Sequence, residues 1–164
     1  MANTRVTRLT AGSKAPHFAC LDSHGQEFHS EDLLGRPTIL FFYPAAFTPG
    51  CTKELCEFRD AEVSLEQLGY QVIGISSDQP SRVADWAKKN RAHFPMLVDP
   101  AKLVHKLFGI DRSTHLISMI SGGRSRSTFV IDASGVITHA MYNVNSMNHV
   151  AELQAILQNE THAR

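Results

Sequence analysis

The chain has 164 residues, of which 43% are hydrophobic and 20% charged, enough apolar material for one ordinary domain with a buried core. Its 16 basic and 16 acidic side chains balance, so no broad positive field exists to attract nucleic acid or an anionic membrane. No apolar run is long enough to span a bilayer, and residues 1–12 lack the apolar stretch of a secretory signal. We therefore expect one domain over residues 1–164, with 1–10 as a short N-terminal extension, and neither a nucleic-acid nor a membrane partner.

The chain has three cysteines, Cys20, Cys51 and Cys56, and the last two are five residues apart. In a chain that can form its own core, an odd count with one close pair indicates reactive thiols rather than a disulfide scaffold. Thiol chemistry of this kind is typical of a reducing compartment. The cytoplasm is the simplest expectation.

The first half of the chain predicts short strands followed by one long helix. Residues 17–21 and 26–29 flank a turn signal and are predicted as short strands. Residues 38–43 (TILFFY) form a continuous apolar run, which is typical of a strand buried on both faces. A helix is predicted over residues 49–68, and Gly69 is its C-terminal stop.

The second half alternates between strands and helices before a hairpin and a closing helix. We predict strands at 70–76 and 94–98, helices at 81–91 and 101–108, a hairpin of 128–131 with 136–141, and a helix at 148–159. Pro95 requires its strand either to lie at a sheet edge or to begin at the proline. This order of elements predicts an α/β domain with a central mixed β-sheet and helices on both faces.

The segment that carries chemistry lies between the first buried strand and the long helix. Binding sites in α/β sheets form where a strand ends and a helix begins. Thr48 suits the helix N-cap and Pro49 the first helical position, which puts Cys51 in the first turn. Unpaired N–H groups and the helix dipole stabilise an anion there, and the thiolate is the nucleophilic form of cysteine. Cys51 is therefore the candidate reactive sulfur.

The spacing of Cys51 and Cys56 restricts how the two sulfurs could react together. On an ideal helix the two Cα atoms are roughly 8.6 Å apart, whereas a disulfide needs Cα atoms within about 7 Å. A bond between them therefore requires the start of the helix to unwind. Cys51 shares the apolar side with Leu55 and Phe58, whereas Cys56 points away from it.

Three further features could assist an attack on an oxidant. The Thr48 hydroxyl can donate a hydrogen bond to an incoming oxygen, and Pro44 and Pro49 stiffen the loop before Cys51. Cleavage of an O–O bond develops negative charge on the leaving oxygen, so we expect a fixed cation nearby, and arginine is suited to this task. The candidates, between which spacing does not choose, are Arg59, Arg112, Arg124 and Arg126.

The segment FYPAAFTPGCTKELCEFRD at residues 42–60 resembles the peroxiredoxins, specifically the bacterioferritin comigratory protein or peroxiredoxin Q subfamily, whose members are atypical two-cysteine enzymes. The family pattern P-x-x-x-T-x-x-C matches Pro44, Thr48 and Cys51, and the subfamily's resolving cysteine matches Cys56. The resemblance extends from about residue 11 to 157, through 75–78, 94–100 and 126–132. It selects Arg126, just before an S-T-F strand, as the arginine of the site.

The resemblance implies a thioredoxin-like fold and a peroxidase that uses no metal or organic cofactor. Its substrates would be hydrogen peroxide and organic hydroperoxides, reduced by Cys51, whose sulfenic acid Cys56 resolves as an intramolecular disulfide. Thioredoxin or glutaredoxin would recycle the disulfide, and the protein would be a monomer or weak homodimer. The pair Ala45-Ala46 replaces a more polar pair often found in the family, and this difference bears on the choice of peroxide.

Other interpretations of the cysteines remain to be compared with this one. A general thiol–disulfide oxidoreductase or redox sensor could use the same pair, although the sequence has no C-x-x-C. A non-catalytic binding or chaperone module would leave both thiols insensitive to peroxide. A zinc site that combines Cys51 and Cys56 with a histidine lacks paired downstream ligands at zinc spacing. For Cys20 we expect a thiol that packs in a strand without activation.

Overall fold

The structure, a computed structural model that describes residues 7–110 and 126–163, is built around one β-sheet. Within these ranges seven strands form the sheet: β1 Ala19–Asp22, β2 Glu27–His29, β3 Thr38–Phe42, β4 Gln71–Ser76, β5 Met96–Val98, β6 Ser127–Ile131 and β7 Ile137–Met141. The α-helices are α1 Pro49–Gln67, α2 Pro80–Lys89, α3 Leu103–Leu107 and α4 His149–His162, and a 3-10 helix covers Ser30–Leu33. None of the helices in the described ranges combines the length and the apolar character needed to cross a membrane.

The strand order in the sheet is β2-β1-β5-β4-β3-β6-β7. The pairs β3–β4 and β4–β5 are parallel, and the remaining pairs are antiparallel. Every residue of β3 is buried, as its unbroken apolar sequence predicts for a strand near the centre of a sheet. The predicted mixed β-sheet is therefore confirmed.

Helices cover both faces of the sheet, because alternate residues of each buried strand point to opposite sides. On one face, Phe41 stacks on Phe58 of α1 with ring centroids 4.5 Å apart, and α2 and α4 pack in the same hydrophobic cluster. On the other face, Phe42 contacts Phe108 just after α3, and Leu33 of the 3-10 helix belongs to that second cluster. The predicted two-sided arrangement of helices is confirmed.

The structure differs from the sequence prediction at several boundaries. β5 lies between β1 and β4 rather than at an edge, and it starts at Met96, directly after Pro95. The missing N–H of Pro95 therefore costs no ladder bond, and its carbonyl accepts a hydrogen bond from Gly74. The helix predicted at 101–108 is shortened to α3, because Lys102 adopts a left-handed conformation with φ +57°. The 3-10 helix was not predicted, and α4 continues to His162, past the predicted end at residue 159.

Candidate active site

The site is organised by the start of α1, which follows β3 after a short loop. α1 begins at Pro49, and Thr48 occupies the N-cap position with extended backbone angles, φ −87° and ψ 149°. The Thr48 side chain forms no capping hydrogen bond to the helix; its hydroxyl donates to the Ala45 carbonyl at 2.8 Å. The predicted helix start is thus confirmed, whereas a hydrogen bond from Thr48 to an incoming oxygen stays a prediction, because the hydroxyl donates to Ala45 in this state.

The two candidate cysteines of α1 lie in different environments. Cys51 is 2% exposed and packs in the same hydrophobic cluster as Leu55 and Phe58. Cys56 is only partly buried, and Val63, on the same side of the helix, is exposed. Both thiols are free, as is that of Cys20. Cys51 is therefore sheltered by the core, whereas Cys56 is at the margin of the packed region.

Of the two arginine candidates that the structure describes, Arg59 and Arg126, it is Arg126 that lies beside Cys51. Antiparallel pairing places Ser127 opposite Phe42, so Arg126 lies at the end of β3 from which the loop to Cys51 departs. Arg126 is 2% exposed, and its Nη2 donates a hydrogen bond to Cys51 Sγ at 3.4 Å. Arg59 instead donates to the Asn90 carbonyl and pairs with Asp60. Arg112 and Arg124 lie outside the described residues.

A buried carboxylate, Glu54, completes the arrangement around Arg126. Glu54 is fully buried, and its Oε1 accepts a hydrogen bond from Arg126 Nη1 at 2.9 Å. Burial raises the pKa of Glu54 to about 7, against the lowering effect of the Arg126 charge. Burial alone would lower the pKa of Arg126, but Glu54 and Cys51 outweigh it, and the net direction is upward. The arginine is therefore charged, and it contacts both the carboxyl group and the sulfur.

A buried histidine, His149, lies near the same arginine. Its Nε2 shares a 2.8 Å hydrogen bond with Thr128 Oγ1, and its ring meets Phe58 edge to face. Burial, and then the positive charge of Arg126, lower the pKa of His149 to about 4. His149 is therefore neutral at physiological pH.

Sequence reasoning did not identify the residues that fix the loop between β3 and α1. Asp78 Oδ2 accepts hydrogen bonds from the Ala46 backbone N–H at 2.7 Å and from the Ser76 hydroxyl at 3.0 Å. Arg82 donates to the Ala46 carbonyl at 3.2 Å, and its guanidinium lies over the Phe47 ring at 5.0 Å. Phe47 has a positive φ of 65°, unusual for a large side chain. The loop that carries Pro44 and Thr48 is thus held in place from α2 and the end of β4.

The residue before the candidate nucleophile, Gly50, lies close to Arg126. A Cβ atom at Gly50 would lie 3.3 Å from Arg126 Nη2 and 3.3 Å from Ser146 Oγ, closer than is usual for a Cβ contact. A larger residue at this position would press on the guanidinium that contacts Cys51. Gly50 therefore leaves the room that Arg126 needs.

Cys20 is separated from this site by the sheet. It lies in β1 and packs against the hydrophobic cluster on the face opposite Cys51. Burial, with contributions from Asp99 and Asp22, raises the pKa of Cys20 to about 12, so its reactive thiolate form is strongly disfavoured. Residues 7–110 and 126–163 contain no group of three or more side chains suited to holding a metal ion.

Comparison with known proteins places this arrangement in a family. Residues 11–140 match the AhpC/TSA family. The chain is 42% identical over 151 residues to a putative peroxiredoxin of Mycobacterium tuberculosis, covering 92% of this chain and 96% of the relative. It is 35% identical over 141 residues to peroxiredoxin Bcp of Escherichia coli K12, covering 86% and 90% of the two chains.

Solved structures agree with this assignment. The crystal structure of peroxidoxin BcpB from Mycobacterium tuberculosis superposes with a TM-score of 0.80 at 31% identity, over 93% of this chain and 98% of that one. A peroxiredoxin Q variant from Xylella fastidiosa has the same fold, with a TM-score of 0.84 at 24% identity over 96% and 99% of the chains. The predicted thioredoxin-like fold and the resemblance to the bacterioferritin comigratory protein and peroxiredoxin Q subfamily are both confirmed. The chain belongs to the AhpC/TSA family and is a peroxiredoxin, a thiol-dependent peroxidase.

Proposed function

We propose that Cys51 is the peroxidatic sulfur and that its substrates are hydrogen peroxide and organic hydroperoxides. The Cys51 thiolate attacks the terminal oxygen of the peroxide, the O–O bond breaks, and Cys51 becomes a sulfenic acid. The other oxygen leaves with the bonding electrons and takes up a proton, forming water or an alcohol. The observation that carries this proposal is the 3.4 Å hydrogen bond from Arg126 to the buried Cys51 sulfur.

In this proposal Arg126 acts on both charged species of the reaction. Its guanidinium stabilises the attacking thiolate and then the negative charge that develops on the leaving oxygen. Both residues are almost fully buried, where charge interactions are stronger than in water. Glu54 holds Nη1 and so directs Nη2 towards Cys51. Glu54 is thus a positioning residue for the arginine.

We assign Thr48 and Pro44 to the binding of the peroxide. The Thr48 hydroxyl donates a hydrogen bond to the Ala45 carbonyl, so its oxygen can accept a hydrogen bond from the O–H of an incoming peroxide. Pro44 limits the freedom of the loop at the point where it leaves β3. Asp78 and Arg82 hold the same loop through the main chain of Ala46.

We further propose that Cys56 resolves the sulfenic acid. The Cys56 thiolate attacks Cys51 Sγ, a disulfide forms, and the hydroxide that leaves takes up a proton to become water. The two cysteines are five residues apart on an intact helix, so the start of α1 must unwind. The hydrogen bonds that fix this segment, and that must break when it unwinds, include Trp86 to Thr52 and Arg126 to Glu54.

We propose thioredoxin, or a similar dithiol such as glutaredoxin, as the reductant of the disulfide. The partly exposed position of Cys56 supports this step, because an external thiol needs access to one sulfur of the pair. We propose a monomer or weak homodimer as the working form, and a reducing compartment such as the cytoplasm as its location. The odd number of cysteines, with one close pair, favours such a compartment.

Intact-mass spectrometry after one equivalent of hydrogen peroxide tests these assignments. The wild-type protein should lose two hydrogens, and Cys56→Ser should gain one or two oxygens on Cys51. Cys51→Ser should consume peroxide only at the background rate, and a wild-type rate in this variant would refute the mechanism. A comparison of second-order rates with peroxide and with a disulfide substrate separates a peroxidase from a general thiol–disulfide oxidoreductase. Thiol recovery with thioredoxin or glutaredoxin identifies the preferred reductant.

A further inference from the structure

Helix α2 and Asn90, the residue directly after it, contact α1 at both ends of the segment that must unwind for a disulfide to form. At one end, Trp86 Nε1 donates a hydrogen bond to Thr52 Oγ1 at 3.0 Å, one residue after Cys51. At the other end, the Cys56 thiol donates to Asn90 Oδ1, with 3.7 Å between sulfur and oxygen. Residues 51–56 are therefore held at their start by α2 and at their end by the residue that follows α2.

The side-chain amide of Asn90 is oriented by its own contacts. Its Nδ2 donates to the Trp86 carbonyl at 2.8 Å, which leaves Oδ1 to face the Cys56 thiol. The main chain of Asn90 is fixed as well, because its carbonyl accepts a hydrogen bond from Arg59 Nη1 at 2.6 Å. Arg59 lies on α1, three residues after Cys56. Asn90 is thus a fixed acceptor for Cys56.

We propose that Asn90 is a positioning residue that holds Cys56 in its folded place and thereby limits the rate of resolution. The inference rests on the proposed attack of Cys56 on Cys51. The Asn90–Cys56 hydrogen bond is available while α1 is helical and must break before Cys56 can move towards Cys51. It therefore stabilises the state before resolution and not the state that reacts.

The consequence is a competition between two reactions of the Cys51 sulfenic acid. In one, Cys56 displaces hydroxide and a disulfide forms. In the other, the sulfenate attacks a second peroxide, gains its terminal oxygen and becomes a sulfinic acid, while water or an alcohol leaves. The second reaction depends on peroxide concentration and the first does not. A contact that delays resolution therefore lowers the peroxide concentration at which Cys51 is over-oxidised.

The test compares Asn90→Ala with the wild-type protein by rapid-quench mass spectrometry over a range of peroxide concentrations. We expect disulfide formation to accelerate by about threefold to tenfold, the change that follows from the loss of one hydrogen bond. The peroxide concentration that converts half of Cys51 to sulfinic acid should rise by the same factor. The rate of the first oxidation should stay within twofold. The matched control is Lys89→Ala, an exposed residue at the end of α2, which should change neither rate.

Arg59→Lys provides a second variant, which leaves the Asn90 side chain in place and keeps a positive charge close to Cys56. It removes the guanidinium anchor of the Asn90 main chain, and we expect a smaller acceleration of resolution in the same direction. Resolution that is unchanged or slower in both variants would overturn the inference while leaving the peroxidase proposal intact. A wild-type protein that forms no bond between Cys51 and Cys56 would instead refute the proposed resolution, and the inference with it.

Discussion

Arg126 Nη2 donates a hydrogen bond to the sulfur of Cys51 at 3.4 Å, although the two residues are 75 positions apart in the chain. The antiparallel pairing of β3 with β6 brings them together, because it places Ser127 opposite Phe42. Neither residue could move far without breaking this pairing or the packing of α1. The contact is thus a product of the central strands of the sheet.

Removal of the Arg126 charge should slow the first oxidation of Cys51. We expect Arg126→Gln to lower the second-order rate with hydrogen peroxide by about 100-fold to 1,000-fold, a typical loss for a preorganised charge-stabilising group. Arg126→Lys keeps the charge but lacks the planar fork, and should recover only part of the rate. The measurement is stopped-flow fluorescence of Trp86, the single tryptophan, which contacts Thr52 beside Cys51. Arg36→Gln, a change at a half-exposed arginine, is the control.

Glu54 should make the protein less stable as the pH rises. Its pKa is raised in the folded state, so that state retains a proton that the unfolded chain has already released. The free energy of unfolding is therefore unaffected by Glu54 below pH ~4.5, where both states are protonated. It falls by about 1–3 kcal/mol as the pH rises to neutral. Urea unfolding of wild type and Glu54→Gln between pH 4.5 and 7.5 tests this. An identical pH slope in the two proteins would show that Glu54 does not titrate as expected.

His149 should have the opposite effect at acid pH. Its pKa is lowered in the folded state, so below pH ~6.5 this histidine is protonated in the unfolded chain but still neutral in the folded protein. Stability should therefore fall by up to about 3 kcal/mol as the pH drops from 6.5 to 4. His149→Gln, which can keep a hydrogen bond to Thr128, should reduce this loss in the same unfolding experiment. His24→Gln, at an exposed site, should not.

Asp78 holds the loop between β3 and α1 through the Ala46 N–H, and loss of this hydrogen bond should lower the rate of peroxide reduction. Asp78→Ala leaves the Ala46 N–H without its carboxylate acceptor and frees the loop that carries Thr48. We expect kcat/KM for peroxide to fall about tenfold, the effect of a modest loss of preorganisation around the reacting atoms. Asp85→Ala, at an exposed position of α2, is the matched control in the peroxidase assay. Equal rates in the two variants would exclude a role for the anchor.

Cys20 should take no part in turnover. Its high pKa and its position across the sheet from Cys51 leave it without an activated thiolate or a partner in the reaction. Cys20→Ser should therefore match the wild-type rate of peroxide reduction within twofold. In the wild-type protein, alkylation of the cysteines after peroxide treatment should find Cys20 still reduced.

The local features of the site could be predicted from the sequence. Thr48-Pro49 marks the start of α1, and the apolar side of that helix places Cys51 in the core and Cys56 at its margin. These inferences depend only on helix geometry and on the residues next to the cysteines. The resemblance to the peroxiredoxins, which have an arginine just before an S-T-F strand, selected Arg126. Spacing alone could not distinguish four arginines as the cation of the site.

The rest of the site depends on pairings that a single sequence does not reveal. A glutamate on a helix is normally solvated, so Glu54 gave no signal of burial beyond its place three residues after Cys51. The hydrogen bond from the Ala46 N–H to Asp78 follows from the parallel pairing of β3 with β4, which brings the ends of both strands together. Pro95 allowed two placements of its strand, and only the contacts with β1 and β4 distinguish them.

We propose above all that Cys51 reacts first and that α1 then unwinds far enough to join it to Cys56. Peptide mapping of the wild-type protein after one equivalent of hydrogen peroxide tests this most directly. We expect one disulfide between Cys51 and Cys56, formed in proportion to the peroxide added, with Cys20 still a free thiol. If both thiols of α1 stay free, or if either is linked to Cys20, the account is contradicted.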